Sequence, residues 1–179
     1  MRIIGIDPGY AICGYGIIDA DAGRLKVLDY GVLETHKSAP FAERLLIISD
    51  EINDLIEKWK PEVMAIEELF FAQNKTTAMA TAHARGTIMT AAARQGVEVF
   101  EYTPSQVKKA VTGVGRAEKS QVSLMVKILL NLETEPKPDD AADALAIAIC
   151  QGLTGRMKSY EAYAGYQKKL KRGRGNGRQ

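Results

Sequence analysis

Residues 2–34, RIIGIDPGYAICGYGIIDADAGRLKVLDYGVLE, hold three apolar runs separated by turn residues. RIIGI at 2–6 suits a short central strand, while ICGYGII at 12–18 and KVLDYGVLE at 26–34 read as two more joined by the polar turn DADAG. Together they predict an antiparallel meander. Gly14, Gly16 and Gly31 weaken these strands unless the backbone needs room, and a helix would tolerate them no better. Asp7 ends the first run, placing a carboxylate where a side chain is ordinarily buried, so something must compensate its charge.

Beyond residue 40 the period changes. Leu45, Ile48, Ile52, Leu55, Ile56 and Trp59 make one apolar stripe opposite Glu51, Asp54, Glu57 and Lys58, an amphipathic helix over 42–59 ended by Pro61. VMAI at 63–66 reads as a buried strand, 76–94 as an alanine-rich helix stopped by Gly96, and VEVFEY at 97–102 as a fifth strand. Thr103 and Pro104 signal an N-cap and first turn for a short helix through 111. TGVGRA at 112–117 is a loop, followed by helices over 118–130 and 139–152. This order predicts α/β architecture, a five-stranded mixed β-sheet with helices on both faces. A right-handed crossover would set the strand ending at Glu67 parallel to and beside the first.

Asp7, Glu67 and the pair Asp140 and Asp143 in PDDAADALAIAI then form three acidic stations. Matching ends of adjacent strands lie about 4.8 Å apart, and acids three apart near a helix start point together. Converging carboxylates are most simply compensated by divalent metal, and four could hold two ions about 4 Å apart, an arrangement suited to phosphodiester hydrolysis. Ordinary capping, with Asp139 as N-cap and acids favoured by the helix dipole, accounts for Asp139 and Asp140 but leaves Asp143 and Asp7 unexplained. A phosphate-binding hairpin of the sugar-kinase and actin-like type would need a second lobe, for which the chain is too short. Strand phase alone leaves open whether Glu67 or Glu68 joins the site.

Phe70 and Phe71 follow in LFFAQNKTT, where aromatics could stack on nucleic-acid bases or fold back into the core. Lys108, Lys109, Arg116 and Lys119 flank the TGVGRA loop and could contact phosphates, though a solvated face accounts for some. His83 and His36 have no partner spacing and read as structural or surface residues. Thr77, Ala78, Ala82, Gly86, Thr87 and Ala91 leave the 76–94 helix small-sided, open to close approach by another helix in the core or across a dimer interface.

The 179 residues suit one domain with a substantial core. Two cysteines, Cys13 and Cys150, offer neither zinc spacing nor a disulfide framework, so a reducing compartment is expected. An acid after six residues comes too early for a signal peptide, and no apolar stretch reaches membrane-spanning length, so a cytoplasmic protein without membrane partners is expected. The whole chain has 24 basic and 22 acidic residues, but residues 156–179 hold eight and one of these, leaving 16 and 21 for residues 1–155. A mildly acidic body thus carries a basic tail, expected to be at least partly disordered. That tail is either a solubilising end or a polyanion contact.

Several separated motifs carry a resemblance: RIIGIDPGYAICGYGII, VMAIEELFFAQN, HARG, VFEYTPSQVKKAVTGVGRAEKSQV and PDDAADALAIAI. From Met1 to about residue 153 the chain resembles the RuvC family of bacterial crossover junction endodeoxyribonucleases, the Holliday junction resolvases. The resemblance implies an RNase H-like fold over residues 1–155 and a two-fold homodimer. It further implies nicking of two opposed strands of a four-way DNA junction, preferentially at a short T-rich consensus, leaving 5′-phosphate and 3′-hydroxyl ends. It implies Mg2+, two ions per site with Mn2+ able to substitute, and RuvA and RuvB branch-migration proteins as partners in recombination and repair. The family's catalytic acids fall on Asp7, Glu67, Asp140 and Asp143, which selects Glu67 over Glu68. Some members carry histidine at the position of Asp140. A base-stacking aromatic falls on Phe70, and the basic residues of Q-V-K and A-E-K-S-Q-V fall on Lys108 and Lys119, with Arg116 beside them on the loop. Two rivals stand beside this reading: another RNase H-like nuclease, such as one processing ribosomal RNA precursors, and a catalytically silent junction-binding protein. Four acids near a phosphate backbone argue against the second, because without metal they hinder binding.

Overall fold

The computed structural model describes residues 1–69 and 75–155. Strands β1 (Arg2–Asp7), β2 (Ile12–Asp21) and β3 (Arg24–Glu34) come first, then helix α1 (Phe41–Trp59), β4 (Val63–Glu67), α2 (Lys75–Arg94) and β5 (Glu98–Tyr102). Helices α3 (Pro104–Thr112), α4 (Lys119–Leu129) and α5, residues 139–155, follow. The strands form one sheet in the order β3-β2-β1-β4-β5, antiparallel across the first three and parallel from β1 through β4 to β5. The meander and the parallel neighbour of β1 are therefore both where the sequence predicts them. The turn is tighter than DADAG suggested: Asp21 pairs with Arg24, and Ala22 and Gly23 make the bend at φ 47° and 86°. Positive φ at both central residues matches the strand twist of a two-residue hairpin.

Side-chain alternation gives the sheet two buried faces. Ile4, Ile6, Ile17, Met64 and Ile66 pack under α1 and α2, where Ile48, Ile52, Ala84 and Ile88 meet them. Ile3, Ile18, Val63 and Ala65 face the other way, against Val107 of α3, Val122 of α4 and Leu145 and Ile149 of α5. Among the described residues no helix is long and apolar enough to cross a membrane.

Of the strand glycines, weak by propensity, Gly5, Gly14 and Gly16 are explained on the α5 side, whereas a Cβ at Gly31 would press on the ring of Tyr15 at 3.1 Å. A Cβ at Gly5 would lie 2.2 Å from the Ala144 carbonyl oxygen, one at Gly14 2.0 Å from that of Asp140, and one at Gly16 2.8 Å from Leu145 Cδ2. Such distances are far inside van der Waals contact, so only glycine lets the α5 backbone lie this close. Alanines at 141, 142, 144, 146 and 148 complete the close approach from the helix side.

Candidate active site

The same alternation that buries Ile3 turns Asp7 toward α5, and the alternation that buries Val63 and Ala65 turns Glu67 to the same side. Ile6 pairs with Ile66 in parallel register, so Asp7 and Glu67 are the next residues along two adjacent strands, at their carboxyl ends. Glu68 falls on the opposite phase, and its amide donates to the Tyr102 carbonyl (2.8 Å). Asp7 also stands opposite Gly14, the position whose missing side chain admits the backbone of Asp140. Close packing of α5 thus brings its first turn, with Asp140 and Asp143, over the end of β1.

The helix begins one residue before an Asp139 cap would place it. The Pro138 carbonyl accepts the amides of Ala141 (3.1 Å) and Ala142 (3.3 Å), which leaves Asp139 inside the first turn. Asp139 instead pairs with Lys119 and Lys137, both at 3.5 Å.

Burial, reinforced by Glu67, Asp143 and Asp140 and partly opposed by Lys119, pushes the Asp7 carboxyl up to about 7. Glu67 also rises to about 7, first through burial and then through Asp143, against the pull of Lys108 and Lys119. Lys119 Nζ lies 3.0 Å from Asp143 Oδ2, and that hydrogen bond raises the ammonium above its ordinary value despite partial burial. Lys119 is the first residue of α4, where the helix dipole disfavours a cation. The acids opposite supply the compensation.

Glu67, Lys108, Lys119 and Asp143 line a cleft of about 170 Å3 walled by Val107 and Ala146. Its α3 wall is fixed by a capping box: the Gln106 amide donates to Thr103 Oγ1 (3.2 Å), and the Thr103 amide donates to Gln106 Oε1 (2.9 Å).

The four acids present only carboxylate oxygens, the donor type of hard divalent cations. Among the described residues no three histidine, cysteine or acidic side chains are drawn together as a finished metal cage. Asp143 is engaged by Lys119 instead. The donor set nevertheless fits a divalent ion, because burial and mutual repulsion raise Asp7 and Glu67 and a cation between the acids would reverse that repulsion. Cys13 is buried against the α1 face with its thiol pushed up to about 12 by burial, so it remains a neutral core residue.

Lys108 and Lys119 reach the cleft, whereas Arg116 is exposed on the loop between α3 and α4. Phe70, Phe71 and the basic tail lie outside the described residues. Both histidines are exposed and make local contacts, in line with the expected structural or surface roles: His83 Nδ1 donates to the Met79 carbonyl (2.7 Å) with its ring edge-on to Phe41, and His36 bonds Ser38 (2.6 Å). Sequence reasoning missed Arg85, which donates through Nε to the Glu67 carbonyl (3.0 Å) and forms a salt bridge with Glu101. Only its presence in HARG marked it, and nothing in the weak periodicity of α2 points to β4.

A family model described as crossover junction endodeoxyribonuclease RuvC matches residues 3–151. The crossover junction endodeoxyribonuclease RuvC of Ruminiclostridium cellulolyticum is 52% identical over 157 residues, covering 88% of this chain and 95% of its own. Thermus thermophilus RuvC has a TM-score of 0.83 at 35% identity over 88% of this chain and 97% of that one. For T. thermophilus RuvC in complex with a Holliday junction substrate, the TM-score is 0.81 at 34% identity, over 88% and 96%. The five-stranded mixed sheet clad by helices on both faces is the RNase H-like fold of these structures. From Ile3 to Gln151, strand ends, glycine-packed helix and acidic cleft included, the chain belongs to the RuvC family of crossover junction endodeoxyribonucleases.

Proposed function

We propose that this chain resolves four-way (Holliday) DNA junctions as a homodimer, nicking two opposed strands by metal-dependent hydrolysis and leaving 5′-phosphate and 3′-hydroxyl ends, in homologous recombination and repair. The observation that carries the reading is the convergence of carboxylates from β1, β4 and α5 beside Lys119. Asp7, Glu67, Asp140 and Asp143 hold the cations, Mg2+ by preference, two per site, with Mn2+ able to substitute. Bound there, such ions would supply Lewis acidity, easing deprotonation of the attacking water and offsetting charge on the phosphate.

The chain's own part is placement. Asp7 and Glu67 sit on adjacent strand ends backed by the core, so their positions are fixed by the sheet rather than by a loop. Lys119 holds Asp143 and stands in the cleft where a phosphate would enter, and it supplies positive charge to the phosphate oxygens. Lys108 and Arg116 extend this positive edge toward the DNA backbone, Phe70 stacks on an unpaired base near the crossover, and the tail after residue 155 adds sequence-independent affinity.

A second copy fits the outer side of α1 and α2. Phe41 (45%), Leu46 (60%) and Met79 (61%) are exposed there beside an open groove of about 510 Å3 lined in part by Ala82, Gly86 and Thr90. Two-fold pairing would give two like-facing sites for paired nicks. RuvA and RuvB are the partners in a cytoplasmic pathway.

The test uses end-labelled mobile and immobile four-way junctions, linear duplex and structured RNA, each with Mg2+ or chelator, for wild type and Asp7→Asn. Metal-dependent cleavage confined to junctions and lost in the variant is the expected result. Equal cleavage of RNA favours a ribonuclease of the same fold, and cleavage by Asp7→Asn overturns the site.

A further inference from the structure

We infer that Arg85 is a positioning residue for Glu67, acting from the opposite side of the sheet. The inference rests on the reading of Glu67 as a metal-holding carboxylate and extends it to the residue that aims that side chain. Glu67 is the last residue of β4, and β5 leaves the ladder beside it. The Glu68 amide reaches the Tyr102 carbonyl, so the Glu67 carbonyl, one residue back, faces β1, where the pairing ends at Ile6 and Ile66 and Pro8 has no N–H to donate. The Glu67 carbonyl is received instead by Arg85 Nε at 3.0 Å.

The same guanidinium forms a salt bridge with Glu101, on the last full turn of the β5 pleat. Arg85 thus ties the ends of β4 and β5 to α2 with one planar group whose side chain is only 16% exposed. A fork of this kind fixes direction as well as distance. Glu67 has its carboxylate on the α5 face, and the peptide plane it shares with Glu68 is held by two bonds, the Glu68 amide to the Tyr102 carbonyl and the Glu67 carbonyl to Arg85, so losing the second lets that plane tilt and swing the carboxylate. Partners one step removed from a metal ligand act in this way, and losing one typically lowers metal affinity about 10–100-fold.

The experiment measures Mn2+ binding by electron paramagnetic resonance and the Mg2+ dependence of junction cleavage for the full chain as wild type, Arg85→Ala, Arg85→Lys and Glu67→Gln. Junction binding in chelator and thermal melts are recorded alongside. Arg85→Ala should lower metal affinity about 10–100-fold, with junction binding in chelator unchanged and cleavage recovering at high Mg2+. Arg85→Lys keeps a cation near Glu101 but lacks the fork, so it should fold and still show weakened metal binding. Wild-type metal affinity in Arg85→Lys, or a loss in Arg85→Ala that only tracks its unfolded fraction, overturns the role of Arg85. Glu67→Gln separates the two layers: if it binds Mn2+ like wild type, the ligand assignment itself fails, whereas lost binding there beside unaffected Arg85 variants removes Arg85 alone.

Discussion

Asp7 and Glu67 stand in the fold at a cost that depends on pH. Their carboxyls ionise near 3.8 and 4.5 in ordinary surroundings and near 7 in the folded chain, for burial first and neighbouring acids second. Between about pH 4 and 7 the unfolded chain has therefore released protons that the folded chain still holds, so stability of the metal-free protein falls as pH rises across that window and levels off above it. A tenfold change in proton affinity corresponds to about 1.4 kcal/mol, and with allowance for the solvent that reaches both groups the penalty is roughly a few kcal/mol. Melts in chelator should show a lower Tm at pH 8 than at pH 5. Asp7→Asn should raise the Tm at pH 8, leave it nearly unchanged near pH 4, and remove much of the stabilisation that Mg2+ gives wild type. A variant less stable than wild type at pH 8 in chelator contradicts this electrostatic account. Lys119 opposes the rise in both carboxyls, so Lys119→Ala should push them higher still and slow junction cleavage by about 100-fold or more at saturating Mg2+.

At the scale of elements, the site exists because α5 lies almost on the backbone of β1 and β2. Gly14→Ala would set a Cβ against the Asp140 carbonyl, and Gly5→Ala one against the Ala144 carbonyl; backbone on both sides leaves no side chain to rotate away. Each should destabilise by about 1–3 kcal/mol, the usual range for overpacking. Gly14→Ala should in addition weaken Mn2+ binding at temperatures where it is fully folded, because it displaces Asp140 itself. Calorimetric melts and metal titrations at a common temperature distinguish the two effects. The strand glycines mark how far the sequence could be read. Apolar runs and helical stripes placed all five strands and the helices within a residue or two at most ends, since those signals are local. Gly14 and Gly16 read only as weak points, because what they make room for, the backbone and side chains of α5, lies about 130 residues away in the chain. The choice of Glu67 over Glu68 was likewise open to alternation alone, which fixes opposite faces but does not say which one α5 covers; the family motif selected Glu67, and the packing of Val63 and Ala65 puts it on the α5 side. Arg85 escaped because what it holds at the site is the backbone carbonyl of Glu67, and a carbonyl carries no residue identity.

On the whole molecule, charge and shape divide the work. Acids gather in the cleft, while the basic surplus sits in residues 156–179. Truncation after residue 155 should make junction affinity less steeply dependent on salt, as fewer phosphate contacts release fewer counterions; an unchanged slope removes the tail from binding. A Cβ at Gly86 would meet nothing within 4 Å, so a large side chain there is accommodated by the monomer fold and obstructs only what approaches from outside. Gly86→Leu should sediment as a monomer with a normal melt, and a dimer of wild-type affinity would move the proposed interface elsewhere. The most direct measurement joins the acids to the dimer: a supercoiled plasmid extruding a cruciform, incubated with the full chain and Mg2+. Wild type should give linear plasmid by paired nicks across the junction, Gly86→Leu mainly nicked circles, and Asp7→Asn neither. Linear product from Asp7→Asn, or nicked circles alone from wild type, would contradict a symmetric carboxylate nuclease built on this fold.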